Sequence, residues 1–146
     1  MKQDGGLRGL FRIHLPEIHW LTVETSATEG GVPDMNGCFS AQEFWIEMKL
    51  TRGFAVSLRP QQIGWLMRRT RAGGRAFIAV RRYALKSARR PLAIDELYLF
   101  SGAYADMVHK NGIRALAIDS WVGGPSRWDW HAIKGYLINH PMLVPP

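Results

Sequence analysis

Apolar and polar positions follow two rhythms along this chain, and each predicts a kind of element. Leu7, Leu10 and Phe11 recur at spacings of three and four, the period of one helix face. A short helix is therefore expected over Leu7 to Leu15, with Pro16 ending it. His19 to Thr25 alternates and is rich in β-branched and aromatic residues, the pattern of a strand. Residues 28–33 (TEGGVP) have turn chemistry. A second strand is expected over Asp34 to Phe39 and a third over Glu43 to Leu50.

The firmest helical pattern begins after Ser57 or Leu58. Pro60 falls near its first turn, where a missing amide has no helical partner to lose. Ile63, Leu66 and Met67 supply the inner stripe, and Gly73-Gly74 stops it. The apolar run from Ala76 to Val80 suits a buried strand, and the passage from third strand through helix to this strand has βαβ length. The basic stretch beyond Tyr83 to Pro91 reads as an exposed loop, and Leu97 to Phe100 as a further strand. Ser101 would cap a helix running to His109 and closed by Asn111-Gly112. Ser126 followed by Asp129 resembles a capping arrangement for a last helix over Arg127 to Asn139, ended by Pro141. Without repeats or low-complexity segments, residues 1–146 read as one α/β domain.

Composition narrows the class. Of 146 residues, 47% are hydrophobic, enough for a single core. No apolar stretch approaches the roughly 18 residues of a membrane span. The opening MKQDGGLRGLFRIH lacks the apolar run and cleavage site of a signal peptide. One cysteine, Cys38, cannot form an internal disulfide, and no Cys/His cluster has zinc-ligand spacing. A cytoplasmic location is the resulting expectation.

Charge is segregated. Pro16 to Met48 holds six acids and no Lys or Arg; Lys49 to Pro91 holds twelve bases and no acid. With a formal charge of +7, the chain favours a polyanionic partner. A metal-dependent phosphodiesterase needs both surfaces, carboxylates for a cation and positive charge for flanking phosphates.

Between the two surfaces lies the chemistry. Gly31-Val32-Pro33-Asp34 is followed by Trp45-Ile46-Glu47-Met48-Lys49, with Glu47 thirteen residues after Asp34. In a strand, residues i and i+2 share a face, so Glu47 and Lys49 project together while Ile46 and Met48 turn to the core. If the strand bearing Asp34 pairs beside it, two carboxylates and an ammonium meet. Asp34 and Glu47 are candidate Mg²⁺ ligands, with the Met48 carbonyl as a third. Lys49 would orient the attacking water or stabilise negative charge on the phosphorus oxygens. Alone, Glu-x-Lys is also what an exposed ion pair looks like.

The ordered set Gly-x-Pro-Asp, strand, Ile-Glu-x-Lys, short basic loop, Gln-x-x-Trp-Leu, Gly-Gly and apolar strand resembles the PD-(D/E)XK nuclease superfamily. It most resembles the VRR-NUC branch of small stand-alone phage and bacterial proteins. The resemblance covers about Trp20 to Arg82 and leaves residues 92–146 as a C-terminal elaboration. It implies a restriction-endonuclease-like mixed β-sheet flanked by helices and a nuclease dependent on Mg²⁺, for which Mn²⁺ can substitute. It also implies activity on branched DNA such as Holliday junctions or flaps, often by a homodimer. Asp34, Glu47 and Lys49 match the motif's acid, acid and lysine, and Gln62 matches the helical glutamine. Relatives bring a further glutamate from the N-terminal helix; residues 5–15 contain no acid here, so Glu24 is the substitute and Glu17 the runner-up.

Arg52, Arg69, Arg71, Arg81, Arg82, Lys86, Arg89 and Arg90 are candidate DNA-binding residues, set against the alternative of a solvated basic face. Trp121, Trp128 and Trp130 read as core, and their segment as a candidate dimer surface. Two other readings stand beside the junction-selective endonuclease. One is a restriction- or repair-type endonuclease on linear duplex; the other is an inactive basic DNA-binding protein that keeps the nuclease fold.

Overall fold

A computed structural model of the chain describes residues 1–23 and 30–142. Among these residues the α-helices are α1 (Leu7–His14), α2 (Pro60–Arg71), α3 (Ala105–Asn111) and α4 (Trp130–Asn139). The strands are β1 (His19–Thr22), β2 (Met35–Phe39), β3 (Gln42–Thr51), β4 (Ala76–Ala84), β5 (Ile94–Ser101) and β6 (Asp119–Trp121). They form one sheet in the order β1-β2-β3-β4-β5-β6. All neighbours are antiparallel except β3 and β4, which run parallel because α2 carries the chain back between them. The mixed sheet flanked by helices is thus the α/β arrangement expected.

Strand alternation divides the core in two. Ile46, Met48, Phe77, Ala79, Leu97 and Leu99 enter one cluster, closed by Leu7 and Phe11 of α1 and Ile133 and Leu137 of α4. Ala76, Ile78, Val80 and Phe100 point the other way, onto Leu66 of α2 and Ala105 and Val108 of α3. Trp45 packs against this second cluster, so the face of β3 opposite Ile46 and Met48 looks towards α2. Gly37 of β2 lets the Phe44 ring lie across it; a Cβ there would sit 2.4 Å from the ring edge.

Several boundaries differ from the sequence expectation for identifiable reasons. The turn joining β2 to β3 consists of Ser40 and Ala41, with φ of 53° and 62°. Two positive-φ residues are what a tight hairpin turn needs, but neither is the Asn or Gly that signals one. The N-cap of α2 is Arg59 rather than Ser57 or Leu58, with Pro60 at the first helical position. β4 continues through Arg81 and Arg82 to Ala84, because β5 pairs with it along that whole length. The exposed loop therefore begins only at Leu85. Ser101 does cap, accepting a hydrogen bond from the Ala103 amide, but a 3₁₀ turn (Gly102–Tyr104) precedes α3. α4 starts three residues later than expected, at Trp130: Asp129, not Ser126, is its cap, accepting from the Ala132 amide at 3.0 Å. That places Trp128 in the core at 3% exposure, with Trp121 and Trp130 packed against the same cluster.

The end of α4 is held by an arginine from another element. Arg75 donates from Nε to the Leu137 carbonyl (2.9 Å), from Nη1 to that of His140 (2.8 Å) and from Nη2 to that of Tyr136 (3.0 Å). A helix C-terminus leaves carbonyls such as that of Leu137 without intrahelical partners, and the Tyr136 carbonyl also accepts from the His140 amide. Arg75 immediately precedes β4, so it ties the C-terminal helix to the sheet. Arg75→Ala should lower the unfolding free energy by about 2 kcal/mol, read by urea denaturation; a loss below about 0.5 kcal/mol, the range of ordinary surface changes, would rule out this tether.

Candidate active site

Three short stretches meet at the α2-facing side of β3: the loop bearing Asp34, the Glu47–Lys49 segment of β3 and the start of α2. Asp34 immediately precedes β2 and is fixed by its backbone, since its carbonyl accepts from the Val23 amide at 2.8 Å. Its Oδ2 accepts from the Met48 amide at 2.9 Å. β2 pairs with β3 only as far as Met35 opposite Ile46, so this edge of β3 is open to the Asp34 side chain. The amide and carbonyl of one strand residue leave on the same side. The Met48 carbonyl is therefore directed towards Asp34 too.

Glu47 and Lys49 share the face that alternation assigns them. Glu47 is only 3% exposed. Lys49 Nζ lies 3.4 Å from Glu47 Oε2 and donates to Gln62 Oε1 at 3.2 Å. Gln62 closes the ring by donating from Nε2 to Glu47 Oε2 at 3.2 Å. The direction of that amide is not free: its Oε1 also accepts from the Arg59 backbone amide at 2.9 Å, and a backbone N–H can only donate. Gln62 occupies the third position of α2, the usual place for a side chain that reaches back to the helix start.

Gly31 brings the Asp34 loop against α2. It has φ of +96°, and a Cβ would fall 2.1 Å from the Gln61 carbonyl oxygen. Only glycine permits that approach. The glycine turn thus sets the distance between Asp34 and the start of the helix that carries Gln62.

The electrostatics are those of two acids pressed together. Burial and the negative charge of Asp34 push the Glu47 carboxyl up to about 8, against the partial opposition of Lys49. Glu47 Oε1 is buried with no hydrogen-bond partner. An orphaned carboxylate oxygen beside a second carboxylate and a main-chain carbonyl forms an all-oxygen donor set, which suits a hard divalent cation such as Mg²⁺ or Mn²⁺. The residues present fit that group, although among the described residues no cluster of three or more His, Cys, Asp or Glu side chains forms a metal site. Glu24 lies outside the described residues. Glu17, the runner-up, is engaged elsewhere, 3.0 Å from Lys134 Nζ.

The candidate DNA-binding residues divide. Arg52, Arg69, Arg71, Lys86 and Arg89 are exposed. Arg90 is half-buried, and its guanidinium donates to the Leu85 carbonyl. Arg81 and Arg82 are not loop residues. Arg81 forks onto both Asp95 oxygens at 2.8 and 2.7 Å and donates to the Gly5 carbonyl at 2.7 Å. Arg82 lies 3.8 Å from Glu96. Both are strand residues facing acids on β5, a pairing the linear segregation of charge conceals. Sequence reasoning overlooked Trp45 and Trp65 as neighbours of the site, although Trp45, two residues before Glu47, had to share its face.

No family model matches the chain, and no curated protein matches it. No helix among the described residues is long and apolar enough to cross a membrane.

The Glu47 environment predicts a pH dependence for the metal-free protein. Its folded value of about 8 exceeds the ordinary 4.5, so its contribution is fully present below about 4.5 and is lost as pH rises towards 8. Glu47→Gln removes this term. In EDTA, the melting temperature of the variant should rise relative to the native protein between pH 5 and 8; a gap that closes or reverses over that range would contradict the assignment.

Proposed function

We propose that this protein is a metal-dependent endodeoxyribonuclease that hydrolyses phosphodiesters of branched DNA, with Asp34, Glu47, Lys49 and Gln62 as its centre. The observation that carries the reading is the closed contact of Glu47, Lys49 and Gln62, with Asp34 held beside it on the Met48 amide. The order of the residues along the chain, which resembles the PD-(D/E)XK pattern, supports it independently.

In this reading Asp34, Glu47 and the Met48 carbonyl hold Mg²⁺, or Mn²⁺ in its place. When bound, the ion polarises the scissile phosphate and eases deprotonation of the attacking water. Lys49 does the rest of the local work. Its ammonium, aimed by Gln62, stands where it can orient the water and balance charge gathering on the phosphorus oxygens. The water gives up a proton to solvent and its oxygen bonds to phosphorus as the bond to one ester oxygen breaks, and that oxygen leaves with a proton taken from solvent. Gln62 is a positioning residue: it holds Glu47 and Lys49 in one geometry.

Arg52, Arg71, Lys86 and Arg89, exposed around the basic half of the chain, are proposed to take backbone phosphates without reading bases. That favours selection by DNA shape. One small domain reaches two strands of a junction only as a symmetric pair, so a homodimer belongs to the proposal.

The test is a side-by-side assay of a four-way junction, a flap and plain duplex, with Mg²⁺, Mn²⁺ or EDTA. Cutting of the branched substrates, abolished by EDTA, is the expected result. Preferential cutting of plain duplex would move the assignment to a restriction- or repair-type enzyme. Lys49→Ala should slow single-turnover cutting by about 10²–10³-fold and Glu47→Gln at least as much, both leaving junction affinity within a few-fold in EDTA. Metal-independent cutting, or parallel loss of binding, would overturn the roles given to these side chains.

A further inference from the structure

The face of β3 that carries Glu47 and Lys49 also carries a feature the hydrolytic reading leaves unused. Trp45 stands two residues before Glu47, which places it about 7 Å along the strand on the same side. Trp65 of α2 meets it edge-on, with ring centroids 5.4 Å apart. Arg69, one helical turn beyond Trp65, lays its guanidinium 4.7 Å from the Trp65 ring centre and 5.7 Å from that of Trp45. Gly74 leaves room for its stem, since a Cβ there would fall 2.5 Å from Arg69 Cδ.

This arginine is held but not neutralised. Both indoles are half-buried and Arg69 is exposed. Among the described residues it forms no ion pair, and its guanidinium makes no hydrogen bond to the protein. Arg75 differs, having all three nitrogens on carbonyls, and so does Arg81, forked onto Asp95. Stacking on rings uses the flat faces of a guanidinium and leaves its N–H edge free. That edge matches two oxygens of a phosphate, and the platform has already restricted the rotamers that binding would otherwise have to order.

We propose that Arg69, seated on Trp45 and Trp65, binds a second, non-scissile backbone phosphate of the DNA strand and thereby sets which bond reaches the carboxylates. This rests on the nuclease reading and adds a register-setting subsite to it. The phosphate lies towards the start of β3, away from Lys49. Arg69 is a positioning residue: it touches substrate but none of the reacting atoms.

The experiment uses the full chain with Arg69→Ala, Arg69→Lys and Trp65→Phe. Binding of a fluorescent four-way junction in EDTA is measured across a NaCl series, and Mg²⁺ cleavage products are mapped to the nucleotide. Arg69→Ala should weaken binding about tenfold or more and reduce the salt slope by about 0.7–0.9, the value of one phosphate contact. It should also spread cutting over neighbouring bonds. Arg69→Lys should restore the salt slope but not the single cut position, because a point charge lacks the fork. Trp65→Phe keeps an apolar wall but less ring for the guanidinium, and should blur the cut position with the salt slope unchanged. A purely structural Arg69 would lower the melting temperature and move neither slope nor cut site. Native affinity, slope and cut position in Arg69→Ala, with the native protein cutting normally, would overturn the subsite alone. A native protein that neither binds nor cuts any of the DNAs would overturn the nuclease reading and the subsite with it.

Discussion

A carboxylate sealed beneath the α2-facing side of the sheet is the constraint around which this molecule is arranged. Glu47 is 3% exposed and lies against a second acid, a placement that desolvation and like-charge repulsion both oppose. It is sustained by groups delivered from other parts of the chain. Lys49 comes from the same strand face, Gln62 from the first turn of α2, and the Met48 amide holds Asp34. The parallel pairing of β3 with β4 makes this possible, because it requires a crossover that lays α2 over that face. A network of this kind has little slack: each member is both donor or acceptor for the next and part of the fold.

The second theme is how much of the positive charge is already engaged. The formal +7 treats every base as equivalent. In three dimensions Arg75 closes a helix end, Arg81 and Arg82 face Asp95 and Glu96, and Lys49 stands against Glu47. Among the exposed bases left to meet a polyanion are Arg52, Arg69, Arg71, Lys86 and Arg89. The position of these bases relative to the carboxylates carries more information than their total.

Much of this was legible in the sequence because it depends on short-range periodicity. The side-by-side projection of Glu47 and Lys49, the inward turn of Ile46 and Met48, and the Pro-started helix all follow from i+2 and i+4 spacing. What was hidden depends on partners far along the chain. Arg81 and Arg82 read as candidate DNA contacts because nothing local announces that β5 will pair alongside and present acids. The Ser40-Ala41 turn was invisible because neither residue is a usual holder of positive φ; the hairpin around it imposes the conformation. The start of α4 was misplaced since Ser126 and Asp129 are both competent caps, and burial of Trp128 decides between them. At the site, Gln62 was marked by the motif resemblance, whereas the Trp45–Trp65 contact needed the helix docked on the sheet.

The sheet's strand order has a kinetic consequence. Each strand lies next to its neighbours in the chain, so most of the pairing can form by successive local hairpins without wide loop closures. The exceptions are the β3–β4 and β5–β6 pairs, whose strands must wait for the intervening α2 and α3 segments to fold back. Asp34 and Glu47 are joined by hairpin formation, but Gln62 reaches them only when that slower closure is complete. Closure of α2 onto the sheet therefore completes the polar ring, and a local opening of α2 would release it.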